Sequence, residues 1–161
     1  MPKPIRFSGR SVCPVANSLD LIGDKWTLLV VRDMLLLGKR RFGELLQCDE
    51  GIPTNILADR LRRLEDDGII RRRAYRPRPA RYEYVLTRKG ADLFPLLREI
   101  ARWANRHLPG TAVPPPGWLE KAARAARREA EAEAGSPSKT PRKSPRSRRA
   151  GGKTLRGGRR I

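Results

Sequence analysis

The chain has 161 residues, 36 of them Lys or Arg against 17 Asp or Glu, a formal charge of +19 and a pI near 11.4. That length suits one ordinary domain plus a tail, and the charge points to a polyanionic partner, nucleic acid ahead of an anionic membrane surface. A membrane span is excluded because the longest apolar stretch, Trp26 to Val31, ends at Arg32 and Asp33.

Lys3, Arg6 and Arg10 are followed by no apolar segment of the secretory kind before Pro14. Two Cys and one His can neither staple a small secreted fold nor complete a four-ligand zinc site. The expectation is a protein of a reducing, cytoplasmic compartment, nucleoid-associated, with no metal, cofactor or membrane attachment.

In chain order, residues 1–10 read as a flexible arm. Pro14 opens a short helix with Val15, Leu19 and Ile22 on it, closed by Gly23. Asp24 is placed to cap a second helix, strongly buried through Leu28, Leu29, Val31, Leu35 and Leu36 and ending near Gly38. Phe42 to Leu46 gives one or two further turns. Gly51-Ile52-Pro53 introduces a helix from about Pro53 to Asp67, stopped by Gly68. The period then changes to that of strands, Ile69 to Tyr75 and Arg81 to Leu86, joined by Arg76-Pro77-Arg78-Pro79-Ala80. Thr87 can cap a last helix to about Arg106, with Leu93, Leu96, Leu97, Ile100 and Trp103 inward and a kink at Pro95. Trp26 and Trp103 are assigned to the core.

These elements make a domain over 11–110. Residues 111–117 form a stiff linker through Val113-Pro114-Pro115-Pro116-Gly117. Residues 118–134 mix Ala, Glu and Arg with high helix propensity but no apolar stripe, and read as a solvated spacer helix. From Gly135 to Ile161 there are ten Lys or Arg and no acid, a segment too poor in apolar surface to order itself, so a disordered basic tail is expected.

Helix, turn, helix and a two-stranded hairpin with a basic tip is the winged helix-turn-helix layout, mainly α with a small β hairpin. On the Pro53–Asp67 helix a buried stripe of Leu57, Leu61 and Leu64 leaves Asn55, Asp59, Arg62 and Asp66 on the opposite face, with Thr54 near the N-terminal rim. Asn pairs bidentately with adenine and Arg with guanine, and a helix N-terminus favours phosphate. The candidate DNA-contacting positions of this helix are Pro53, Thr54, Asn55, Ala58, Asp59 and Arg62. Arg71, Arg72, Arg73, Arg76, Arg78 and Arg81 crowd into eleven residues of the hairpin without an acid. Solvated strand edges carry Lys to discourage pairing, but six Arg exceed that need. Arg71, Arg73, Arg76, Arg78 and Arg81 are therefore assigned to phosphate or the minor groove.

Several stretches resemble the HxlR-type family of bacterial transcriptional regulators, a branch of the MarR-like winged-helix proteins. They are Cys13-Pro14-Val15, Leu19-Asp20-Leu21-Ile22-Gly23-Asp24-Lys25-Trp26-Thr27, Arg41-Phe42-Gly43-Glu44-Leu45, Gly51-Ile52-Pro53, Arg60-Leu61-Arg62-Arg63-Leu64-Glu65-Asp66-Asp67-Gly68 and Tyr82-Glu83-Tyr84-Val85-Leu86-Thr87-Arg88-Lys89-Gly90. The resemblance covers roughly residues 11–108. It implies a homodimer joined by the first and last helices of that segment, binding double-stranded DNA at a pseudo-palindromic operator through the Pro53–Asp67 helix and the hairpin. Two departures stand out: Pro53 replaces the Ser that commonly caps the reading helix, and the basic tail lies outside the pattern.

The same resemblance implies a redox role for Cys13, whose thiolate a helix N-terminus would stabilise, with Cys48 as a candidate partner; the alternative is that both are packing residues. A small-molecule effector is likewise admitted but unspecified. Gly151-Gly152-Lys153-Thr154 is not a phosphate-binding loop, since the first glycine of that pattern falls at Ser147 and no strand precedes it. His107 has no nucleophile beside it, and no paired carboxylates suggest catalysis, so an enzyme is not expected. The expected function is a sequence-specific, dimeric transcriptional regulator whose tail binds DNA non-specifically. The alternative is an architectural, nucleoid-type DNA-binding protein.

Overall fold

Capping chemistry and turn glycines set most of the element boundaries. The computed structural model describes residues 11–76 and 79–134. The expectations for the 1–10 arm, for Arg78 and for the 135–161 tail lie outside the described residues. Helix α1 (Pro14–Ile22) starts on its proline, with Cys13 at the N-cap, and stops at Gly23. Helix α2 (Thr27–Leu36) follows an Asp24 cap: the carboxylate accepts from the N–H groups of Trp26 (2.9 Å) and Thr27 (3.1 Å) and from the Thr27 hydroxyl. Partial burial works against the Asp24 charge, but these bonds and the nearby Arg60 outweigh it and hold the carboxyl below its ordinary range.

Helix α3 (Phe42–Leu46) is capped by Glu44, which accepts from the N–H groups of Arg40 (2.8 Å) and Arg41 (2.9 Å). Helix α4 (Thr54–Asp66) then leads into strands β1 (Ile70–Arg76) and β2 (Arg81–Leu86), an antiparallel hairpin running from Ile70↔Leu86 at its root to Arg76↔Arg81, with a bulge between Ala74 and Arg76. The core lies where α2, α3, α4 and the hairpin root meet: Val31, Met34, Leu45, Leu57, Leu61, Leu64, Ile69 and Ile70 are buried there. Each such side chain contributes about 1.5–3 kcal/mol by leaving water. This is the winged helix-turn-helix fold, mainly α with a small β hairpin.

The root of the wing is a tight junction. Gly68, at φ +67°, ends α4 by letting Ile69 N–H reach back to the Leu64 carbonyl (2.9 Å). The Thr87 hydroxyl donates to the Gly68 carbonyl (2.7 Å) and accepts from Gly90 N–H (3.2 Å) at the start of α5 (Arg88–Ala91). Gly90 packs so closely that a Cβ there would lie 2.2 Å from the Ile69 carbonyl oxygen.

Four expectations need correction. In α2 the buried apolar residues are Val30, Val31, Met34 and Leu35, whereas Leu28, Leu29 and Leu36 are half-buried. Those three line an apolar groove of about 220 Å³ shared with Phe94 and Leu97. The expected last helix is two: after α5 the chain turns at Asp92 and Leu93 and restarts as α6 (Phe94–His107). Pro95 has no N–H to continue the ladder and serves in the first turn of α6 instead of kinking one long helix.

The stripe of α6 is not inward either. Leu97 and the preceding Leu93 pack at the core edge, but no α6 residue is buried, and Leu96, Ile100 (45%) and Trp103 (53%) face out. Periodicity reveals an apolar face without revealing what covers it. Trp26, by contrast, packs against the core as expected.

The fourth correction concerns residues 118–134. They do form a helix, α7 (Trp118–Ala134), but it is not a solvated spacer. It lies across α2, α5 and β2 with Ala126 and Ala130 buried to 4% and 3% exposure. Alanines one turn apart let the two backbones approach closely, so the contact needs none of the large apolar residues a stripe is recognised by. The packed structure therefore runs past residue 110 to Ala134.

Candidate nucleic-acid interface

Helix α4 is held firmly from behind. Leu57, Leu61 and Leu64 anchor it to the core, and Arg60 on its flank pairs with Asp24 at 3.1 Å, tying it to the start of α2. The turn before α3 is fixed by Asp33, a carboxylate only 1% exposed on α2. Lys39 reaches it at 2.7 Å and also donates to the Gln47 carbonyl at 3.0 Å. Arg32 meets it at 2.6 Å and extends to Glu50 at 2.5 Å, holding the Glu50 carboxyl below its ordinary range. These bonds span α2, α3 and the loop that delivers α4, so the geometry of the helix-turn-helix is set by buried charge as well as by apolar packing.

Pro53 is the N-cap of α4, with no side-chain cap, and the first intrahelical bond runs from Leu57 N–H to the Pro53 carbonyl (2.9 Å). The opening N–H groups of the helix are thus left to an outside acceptor, the arrangement that suits a phosphate. Pro53, Thr54, Asn55, Ala58 and Arg62 are all exposed. Asp59 is half-buried and accepts from Arg62 at 2.5 Å, with Arg63 at 2.9 Å and Arg60 at 3.2 Å, and the Arg62 bond keeps its carboxyl low. As an ionised acceptor surrounded by cations, Asp59 orients Arg62 and repels phosphate. The exposed side-chain donors on this face of the helix include Thr54, Asn55 and the outer nitrogens of Arg62, with Arg63 beside them.

The wing divides its arginines in two. At the root, Arg71 pairs with Glu133, and Arg73 with Glu83 (2.6 Å), with Glu133 and more distantly with Glu129 (4.0 Å). Arg72 on the other face pairs with Glu65 of α4 at 3.0 Å. Arg71 and Arg73, expected to bind phosphate, are therefore already matched with acids that lie 10 to 62 residues away in the chain. At the tip, Arg76 and Arg81 are exposed and have no carboxylate partner among the described residues. The bulge beside Arg76 bends the strand where this pair begins.

Sequence reasoning missed Arg41. It is exposed at the start of α3, pairs with Glu44 at 3.7 Å and stacks on the Tyr75 ring (4.9 Å to the centroid), which sets a partly matched cation between the helix-turn-helix and the wing. The run Lys39-Arg40-Arg41 was the available signal. Cys13 is exposed at the N-cap of α1, and Cys48 is half-buried, its sulfur accepting from Ile52 N–H at 3.4 Å; both thiols are free. His107 sits beside Trp103, ring centroids 5.2 Å apart. Among the described residues no cluster of His, Cys, Asp or Glu could hold a metal, and no helix is long and apolar enough to cross a membrane.

Residues 21–112 match the family described as HxlR-like helix-turn-helix. An HTH-type transcriptional regulator of Mycobacterium tuberculosis, Rv3095, is 41% identical over 110 residues; the match covers 68% of this chain and 66% of that protein. Among solved structures, the reduced form of the transcriptional regulator YodB from B. subtilis is 29% identical with a TM-score of 0.52, covering 63% of this chain and all of that one. The redox regulator HypR in its oxidised form is 35% identical with a TM-score of 0.51, covering 63% of this chain and all of its own. Helix α7 lies beyond the family match.

Proposed function

Since the chain belongs to the HxlR-like helix-turn-helix family of DNA-binding transcriptional regulators, we propose that it reads one DNA operator as a homodimer. The observation that carries this is the joint presentation, on one packed unit, of the outward face of α4 and the tip cations Arg76 and Arg81, which have no carboxylate partner among the described residues. Thr54, Asn55 and Arg62 enter the major groove, while the wing tip, with Arg78 between its strands in sequence, meets the phosphates or the adjacent minor groove. Two outward apolar faces support the dimer: Val15 and Leu19 on α1, and Leu96, Ile100 and Trp103 on α6. Residues 135–161, with ten basic side chains, add a sequence-independent attraction for phosphate.

A thiol response is the second reading, favoured by the exposed Cys13 at a helix N-terminus and by the likeness to a redox regulator. The principal experiment is selection of duplexes from a random pool, followed by footprinting at moderate salt and sedimentation of the complex. A bounded, two-fold symmetric footprint with two protomers per site is expected. Uniform coverage of any sequence would instead identify an architectural protein.

A further inference from the structure

Helix α7 sends two carboxylates to the root of the wing. Glu133 pairs with both Arg71 and Arg73 of β1. Glu129, one turn earlier, pairs with Arg40 in the turn before α3 and comes within 4.0 Å of Arg73. Arg40 in turn donates to the Met34 carbonyl (2.8 Å), and its own carbonyl accepts from Tyr84 N–H of β2 (2.7 Å). The two glutamates thus stand where α2, the α2–α3 turn and both strands of the wing meet, and Ala126 and Ala130 bury the helix that carries them. The side chains involved are only part-exposed, 17% for Arg40 and Glu133 and 39% for Arg73, so their pairing is screened less than that of a surface pair.

A two-stranded ribbon anchored only at its root is stiff in proportion to what grips that root. We propose that α7, which contacts no DNA in this reading and lies outside the family match, is a positioning element for DNA binding. Glu129 and Glu133 fix the angle at which the Arg76–Arg81 tip leaves the body of the protein. The proposal rests on the DNA-reading function proposed above.

The test compares full-length wild type with E129Q/E133Q on a duplex that the wild-type chain selects from a random pool and on a random duplex of the same length. Amide exchange over β1, β2 and α4 is measured in parallel. Charge alone makes the variant bind tighter, since two negative charges near a phosphate-binding wing are gone. Positioning predicts the opposite sign: at least about fivefold weaker binding to the selected duplex, with faster exchange in β1 and β2 and none of it in α4. E133D, which keeps the charge, should stay within about twofold of wild type. Affinity equal to or above wild type overturns the proposal, and so does weaker binding with unchanged wing exchange. Should the double variant fail to fold, E129Q and E133Q singly, each retaining one grip, carry the same comparison. If wild type selects no duplex at all, the DNA-reading function falls, while faster wing exchange in the variant still supports the grip and unchanged exchange overturns it.

Discussion

Replacing Arg76 and Arg81 together with Gln tests the division of the wing most sharply. Of the hairpin arginines, Arg71, Arg72 and Arg73 are each matched with a glutamate, whereas these two are exposed with no carboxylate among the described residues. A matched cation releases few counterions when DNA arrives, because its charge is already balanced; an unmatched one releases its full share. Each lost phosphate contact shallows the slope of log affinity against log salt by about 0.9, so the two tips of the proposed homodimer, with about four contacts in all, shallow it by about 3.6. Between roughly 50 and 200 mM salt that is a change of about two orders of magnitude in how steeply binding falls. Fluorescence anisotropy on a selected duplex and on a random one, across a salt series, measures it. The loss should be nearly equal on both sequences. A slope within about one unit of wild type would mean that the tip does not meet phosphate, and the reasoning that separates tip from root would fail with it.

Further outcomes follow from other parts of the structure. Asn55→Ala and Arg62→Ala should each weaken selective binding by about 1–3 kcal/mol while leaving the thermal midpoint unchanged, with preference relaxed at one base position; selection profiles that match wild type would move the reading surface elsewhere. Gly90→Ala should destabilise by about 1–3 kcal/mol in urea unfolding, because its methyl must displace both the Ile69 carbonyl and the Leu86 side chain; an unchanged midpoint would mean that α5 shifts freely. Asp24, Glu44 and Glu50 all titrate below their ordinary values in the folded chain, so the stability they add is complete above about pH 5, where the unfolded carboxyls are also ionised, and is lost as pH falls through their depressed values. Circular-dichroism melts from about pH 6 to pH 3 should show that loss, flattened in Glu44→Gln/Glu50→Gln; superimposable acid limbs would assign those carboxylates no part in it.

What could be read from the sequence was whatever depends on near neighbours. Proline at the start of α1, the Asp24 cap, Gly68 after α4 and the Leu57, Leu61, Leu64 spacing act within a turn or two, and each element stands where those residues put it. The candidate face of α4 was legible for the same reason, as the complement of that spacing. Contacts formed across long separations were not. Nothing local to Arg71 or Arg73 announces a glutamate 60 or more residues later. Nothing in an alanine-rich helix distinguishes burial by close approach from full solvation. The α6 stripe was visible as apolar, but a stripe turned outward has the same period as one turned towards its own core.

The junction at the root of the wing has a mechanical consequence. The end of α4, both ends of the hairpin and the start of α5 are fastened to one another over Asp67 to Ile69: Lys89 donates to the Asp67 carbonyl (2.8 Å), Thr87 to that of Gly68, and Gly90 leaves no slack against Ile69. In the proposed reading, the probe for one groove and the probe for its neighbour are therefore two prongs of a single fork. Their spacing is set before any duplex arrives, so little orientational freedom is left to lose on contact. On that reading a duplex whose groove width or twist departs from that spacing must itself deform to be held, and the stiffness of bases that neither prong touches becomes part of what is recognised.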